Sequence, residues 1–231
     1  MDNIFYNLPF LVQFILARRP LPDHVWSENY EGSRSARNCS ENIEDGENCA
    51  VWIQGLPPDC NHTMLCGALR ATGKLYAVVI NPPVDCYKTC AAKVVFWDRK
   101  GVSRLAEKVN SGKFIVSNHR PRMTANRIKT SAQPPSSNSR VIDIRGPSSI
   151  VNFPFLNSFL RTHFFFDLEG VEVLENNGYE TCMRWSFGSY RSQSEFAMYR
   201  IRSQQHRENQ GSLEGLLWSH VSVKWVPDPC A

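Results

Sequence analysis

Trp52 is the side chain best placed to do chemistry with a flat partner. It lies in the run Ala-Val-Trp-Ile-Gln-Gly-Leu-Pro at 50–57. Strand alternation sends Val51 and Ile53 to one face and Trp52 and Gln54 to the other. One face requires a core, while the other presents an indole ring for stacking beside an amide that both donates and accepts hydrogen bonds. In the apolar run 90–97 the same alternation separates Ala92, Val94 and Phe96 from Ala91, Lys93, Val95 and Trp97. Arg120, Arg122, Arg127 and Lys129 then place four cations in one short segment. That segment suits phosphate contacts, or equally a solvated strand edge that resists pairing with other chains. Trp52 likewise has two readings, an open stacking ring or a packing residue beneath the C-terminal segment or a second domain.

The charge distribution bears on the choice. Residues 1–48 hold 4 Lys/Arg and 8 Asp/Glu, residues 49–139 hold 13 and 4, and residues 140–231 hold 9 and 10. The excess positive charge is therefore confined to the middle block, which favours a polyanionic partner such as nucleic acid. The acidic arm, 1–48, could fold over that block and compete for it.

Enzyme signatures are absent. Gly67 to Lys74 resembles a phosphate loop only superficially, with five residues between its glycines and Leu75 where a metal-binding hydroxyl is needed. Cys60, His62, Cys66, Cys86 and Cys90 match no zinc spacing, and the eight scattered cysteines read as reduced intracellular thiols. Neither metal nor cofactor is expected. The apolar stretch Leu8 to Ala17 is too short to span a bilayer, and Arg18-Arg19 follows it, the reverse of a signal peptide. With Asn7 as cap and Pro9 just inside, it predicts a short helix that docks on the protein or on a partner.

The elements that must position Trp52 follow in order. Asn61 caps a helix carrying Leu65, Ala68 and Leu69, stopped by Gly73, and Leu75 to Ile80 is a strand. After the strand containing Lys93, Asp98 caps a helix carrying Val102, Leu105, Ala106 and Val109. Phe114 to Val116 and Pro121 to Ile128 supply the last strand, with Pro121 tolerable only at an edge. Residues 130–139 form a Pro- and Ser-containing linker, about 17 Å long as a flexible coil. Residues 140–231 repeat the order: Val141 to Ile144, a helix capped by Asn152, two strands, a helix opened by a capping box at Ser192 to Glu195, and a strand through Val221, Val223 and Trp225.

This β-α-β-β-α-β order, with Val-Trp-Ile-Gln-Gly-Leu at 51–56 and Leu65 through Leu69 to Gly73-Lys-Leu75, resembles the RNA recognition motif (RRM) family over residues 49–129. Residues 140–231 resemble a more divergent member. Two such domains behind a polar arm also resemble the layout of fungal RRM-containing proteins. The resemblance implies an α+β chain of two ferredoxin-like domains, each with a four-stranded antiparallel sheet and two helices. It also implies intracellular, non-enzymatic binding of single-stranded RNA, with Trp52 stacking on a base. Aligned on Phe96, the family's other two ring positions hold Ala91 and Lys93 here; in the second domain Asp143, Cys182 and Arg184 stand at all three. The site so implied is Trp52, Gln54 and Lys93 on the sheet, continued by Arg120, Arg122, Arg127 and Lys129. The alternative is a protein-interaction scaffold, docking partners through Trp97, the second domain or the N-terminal stretch Phe5 to Ile15.

Overall fold

The computed structural model describes residues 38–84, 86–205 and 212–231; the expected N-terminal helix lies outside them. β1 (Ala50–Leu56), α1 (His62–Ala68), β2 (Leu75–Asn81), β3 (Cys90–Phe96), α2 (Arg99–Asn110) and β4 (Arg122–Ala125) build the first unit. β5 (Val141–Pro147), α3 (Phe153–Arg161), β6 (Leu168–Asn176), β7 (Glu180–Phe187), α4 (Glu195–Gln205), α5 (Leu213–Ser219) and β8 (Ser222–Trp225) build the second. The sheets are antiparallel, ordered β2-β3-β1-β4 and β6-β7-β5-β8. The expected α+β order thus occurs twice, with α5 added to the second unit.

Period-2 burial explains each sheet. Val51, Ile53, Ala92, Val94 and Phe96 face inward against Leu65, Cys66 and Leu69 around α1 and Val102 and Leu105 of α2. Ile142, Ile144, Met183, Trp185 and Phe187 do the same against Leu156, Leu160, Ala197 and Ile201. Asn61, Asp98 and Asn152 cap their helices, each side chain accepting a backbone N–H.

Two local expectations are corrected. The last strand of the first unit is only Arg122–Ala125: Ser117 and Asn118 turn the chain at positive φ, so Phe114 and Val116 enter the core instead of extending the ladder. Ser192 has φ 62, which is not the extended backbone of a helix cap, and residues Tyr190–Ser194 kink into α4. The Glu195 carboxylate still accepts the Ser192 N–H, at 3.4 Å.

The two units meet in a buried polar junction. Cys230 follows the last strand of the second unit yet is fully buried in the core of the first. Its carbonyl accepts the Gly73 N–H at 2.7 Å, and the Asp228 carboxylate accepts the Leu75 N–H at 2.8 Å. Arg140, with no exposed surface, donates to Asp228 (3.0 Å), to Glu169 (2.6 Å) and to the Phe187 carbonyl (2.9 Å). Burial works against the Arg140 charge, but the Cys66 and Cys230 sulfurs and the Asp228 and Glu169 carboxylates around it hold its pKa above the ordinary arginine value. Nearby, Gly188 permits close approach: a Cβ there would stand 2.5 Å from the His62 ring.

Trp97 is not an outward contact surface. It is buried in an aromatic cluster with Tyr76 (5.6 Å) and Tyr190 (5.1 Å), and Lys74 Nζ lies 3.6 Å from its ring centre. The linker is fastened rather than loose. Gln133 N–H donates to the Trp97 carbonyl, the Trp97 indole N–H to the Pro134 carbonyl and Lys74 to the Ser136 carbonyl, each at 2.8 Å.

Candidate nucleic-acid interface

The outer face of the first sheet is arranged in rows across its strands. The lowest row, Ala77–Val95–Ala50, is closed: Ala50 and Val95 are buried beside Tyr76, on which the Tyr190 ring packs at 5.8 Å. The middle row reads Val79–Lys93–Trp52–Thr124 and the upper row Asn81–Ala91–Gln54–Arg122. Trp52 is half-buried, while Gln54, Thr124 and Arg122 are exposed. Directly opposed antiparallel residues stand about 5 Å apart at Cβ, so the indole and the Lys93 stem are immediate neighbours. A β-bulge at Gly55, with φ 81, ends the platform by shifting the register between Gln54 and Leu56.

The Lys93 ammonium has neither a hydrogen bond nor an ion pair among the described residues. Burial and then the nearby Arg191 charge push its pKa down to about 8. The remaining candidates are distributed differently. Arg122 lies on the platform; Arg127 is exposed just beyond β4. Lys129 is already paired, with Asp45 at 2.7 Å and the Ile43 carbonyl at 2.8 Å. The Lys129 hydrogen bond and charge hold the Asp45 carboxyl below its usual pKa. Glu41 joins this contact, donating its N–H to the Lys129 carbonyl and accepting the Ser131 N–H, each at 3.1 Å. Arg120 stands apart, its guanidinium beside Gly112 past the end of α2.

The second sheet carries charges that cancel. Glu172, Arg184, Asp143 and Lys224 form one row across all four strands, with Arg184 making two hydrogen bonds to Asp143 at 2.8 and 3.0 Å. Arg145 is held by Glu175 and Glu180. As expected from alternation, Asp143, Cys182 and Arg184 share this face and no aromatic residue joins them in these rows. Among the described residues no group of three His, Cys, Asp or Glu is placed to hold a metal, and none of the helices is long and apolar enough to cross a membrane.

Strand order 2-3-1-4 with both connecting helices packed on the inner face decides the fold. Each half of the chain has an RRM-like fold. No family model and no curated protein matches the chain. Among solved structures it is similar to the first two RRM domains of the yeast poly(U) binding protein Pub1, at 14% identity over 77% of this chain and 99% of that one, TM-score 0.30. It is similar to RNA recognition domains 1 and 2 of Sex-lethal from Drosophila melanogaster, at 16% identity over 78% of this chain and all of that one, TM-score 0.28. The N-terminal three RNA binding domains of the yeast splicing factor Prp24 match at 10% identity over 77% of this chain and 64% of that one, TM-score 0.32.

Within the first RRM-like domain, then, the fold brings Trp52, Gln54, Lys93 and Arg122 onto one face and sets Arg127 and Lys129 downstream of it. Sequence reasoning missed the influence of Arg191, a residue of the second unit whose charge acts on Lys93. No local pattern announces it.

Proposed function

We propose that the first RRM-like domain binds single-stranded RNA on its outer sheet face, with a base stacked on Trp52, Gln54 hydrogen-bonding the nucleotide, and Lys93 and Arg122 holding its phosphates. Arg127 extends the track, and Lys129 joins it when the acidic arm releases it. Arg120 contributes only to the surrounding positive field. The observation that carries the reading is the pairing of a half-buried indole with an ammonium that has no hydrogen-bond or ion-pair partner among the described residues, beside exposed Gln54, Thr124 and Arg122. Stacking on one ring contributes about 1–3 kcal/mol per base. The second domain, whose outer face neutralises itself, serves to brace the first; that observation supports a scaffold role for this half of the chain.

A fluorescein-labelled random 12-nucleotide RNA pool titrated at about 50 mM salt tests this. Wild type is expected to bind, and Trp52→Ala to bind between about 5- and 100-fold more weakly, the range that stacking energy implies. Equal binding by both proteins would remove Trp52 from the site, and no binding by wild type would remove the function.

A further inference from the structure

The two edges of the first sheet are finished differently. Ser189, at the exit of β7, clasps β2, its hydroxyl donating to the Val78 carbonyl at 3.0 Å and accepting the Val78 N–H at 2.8 Å. On the other edge, β4 pairs with β1 alone. The Asn126 N–H bonds the Ala50 carbonyl at 3.0 Å, so alternation turns the backbone groups of Thr124 and Arg122 toward β1 and those of Met123 and Ala125 outward. Beside that edge a groove of about 360 Å³ runs between β4 and α2. Val102 and Ala106 of α2 wall it together with Met123 and Ala125, whose side chains share the inner face of Ile53 and Val51 opposite them. Ser103 and Arg99 complete the lip, and Arg99 is the one charged residue lining the groove. Arg122 projects on the outer side of the same edge, and Arg127 is exposed just beyond it. None of these three arginines has a carboxylate partner among the described residues. Cations on a strand edge repel a second copy of that edge and attract a strand of opposite charge. An acidic segment is already held in this way on the strip that follows β4, where Glu41 accepts the Ser131 N–H and Asp45 pairs with Lys129.

We infer that the β4 edge and the α2 groove form a docking site for an extended acidic peptide of a partner protein, which joins the first sheet as a fifth strand. The outward backbone groups of Met123 and Ala125 supply its hydrogen bonds. Side chains of the added strand opposite Met123 and Ala125 enter the groove and are apolar. Those opposite Arg122 and Thr124 stand on the outer face and are carboxylates, paired with Arg122. The recognised pattern is therefore alternation of acidic and apolar residues over the four positions that β4 spans. Only Arg122 is common to this site and the proposed RNA face, so the docking site stands whether or not RNA binds on the sheet.

The test uses the full chain and a fluorescein-labelled synthetic heptapeptide, Glu-Val-Asp-Val-Glu-Val-Asp, titrated by anisotropy at about 50 and 300 mM salt. Wild type is expected to bind it about tenfold or more tightly than the same peptide with lysine at each acidic position, and more tightly than a shuffled peptide with the acids in one block. Raising the salt is expected to weaken binding several-fold. Ala125→Pro removes one outward N–H at a position where an edge strand tolerates proline, and Ser103→Glu sets a repelling charge on the exposed lip. Each is expected to weaken peptide binding about tenfold with the urea midpoint close to that of wild type. Ser103→Glu leaves the strand untouched, so it decides the matter even where the proline disturbs the edge. The docking site is overturned if the acidic peptide does not bind, if the lysine or shuffled peptide binds as well, or if Ser103→Glu keeps wild-type peptide affinity. Loss of affinity for the random RNA pool in Ser103→Glu, with peptide affinity unchanged, would assign the groove to nucleic acid instead.

Discussion

On the proposed reading, the partly buried charge of Lys93 sets a pH range for binding. Its pKa of about 8, lowered by burial and then by Arg191, lies below the 10.5 of a free lysine. The ammonium needed for phosphate is therefore mostly present at pH 7 and mostly lost at pH 9. RNA affinity is expected to fall several-fold between those values and to lose that component in Lys93→Arg, whose guanidinium stays charged. Anisotropy titrations at both pH values, with the two proteins side by side, check this. The sign for stability is opposite. Between about pH 8 and 10.5 the unfolded chain binds more protons at this residue than the folded one, so Lys93's own contribution to stability rises across that window. Loss of binding there does not report unfolding of this site.

At the scale of elements, residues 38–48 and the strip 126–131 act on each other. The Asn48 amide donates to the Asn126 carbonyl and its oxygen accepts the Ala50 and Thr130 N–H groups, while Asp45 and the Ile43 carbonyl occupy Lys129. Asn48 is buried and structural, whereas Asp45 is exposed and its pair with Lys129 is a surface contact, worth little and screened by salt. Asp45→Asn should therefore leave the fold intact and release Lys129, tightening RNA binding about twofold at 50 mM salt, with the gain gone at 300 mM. Identical affinities for the two proteins at low salt would show that Lys129 is off the track. The β4 edge that leads into this strip is short and mostly exposed, with Arg122 on it, consistent with an edge kept from pairing by charge.

The whole molecule is held by a junction that neither domain could build alone. Arg140 comes from just before β5, Asp228 and Cys230 from the tail, Glu169 from β6 and Arg70 from just past α1. A buried guanidinium deprived of a carboxylate is costly, about 3–5 kcal/mol when one partner of such a pair is removed. Asp228→Ala also strips an acceptor from the Leu75 and Cys230 N–H groups. It is expected to lower stability by roughly 3 kcal/mol or more, read as a fall in urea midpoint. An unchanged urea midpoint would mean that water or Glu169 alone suffices for Arg140.

Much of this was legible in the sequence, and the reason is locality. Strand alternation depends only on the backbone's period of two, so it placed Trp52 and Gln54 on one face, Lys93 and Ala91 on one face, and Asp143, Cys182 and Arg184 away from the core, as the register of both sheets bears out. Helix caps at Asn61, Asp98 and Asn152 are likewise written within four residues of where they act. The tertiary structure alone decided that Trp97 is enclosed, that the linker is strapped to the first domain, that Asp45 sits on Lys129 and that Ser189 clasps β2. Each of these joins residues far apart in the chain, as Arg140 and Asp228 do across 88 positions. A single arginine or aspartate carries no periodic signal of its partner. Such contacts follow from how two folded surfaces meet, and only the packed chain specifies that.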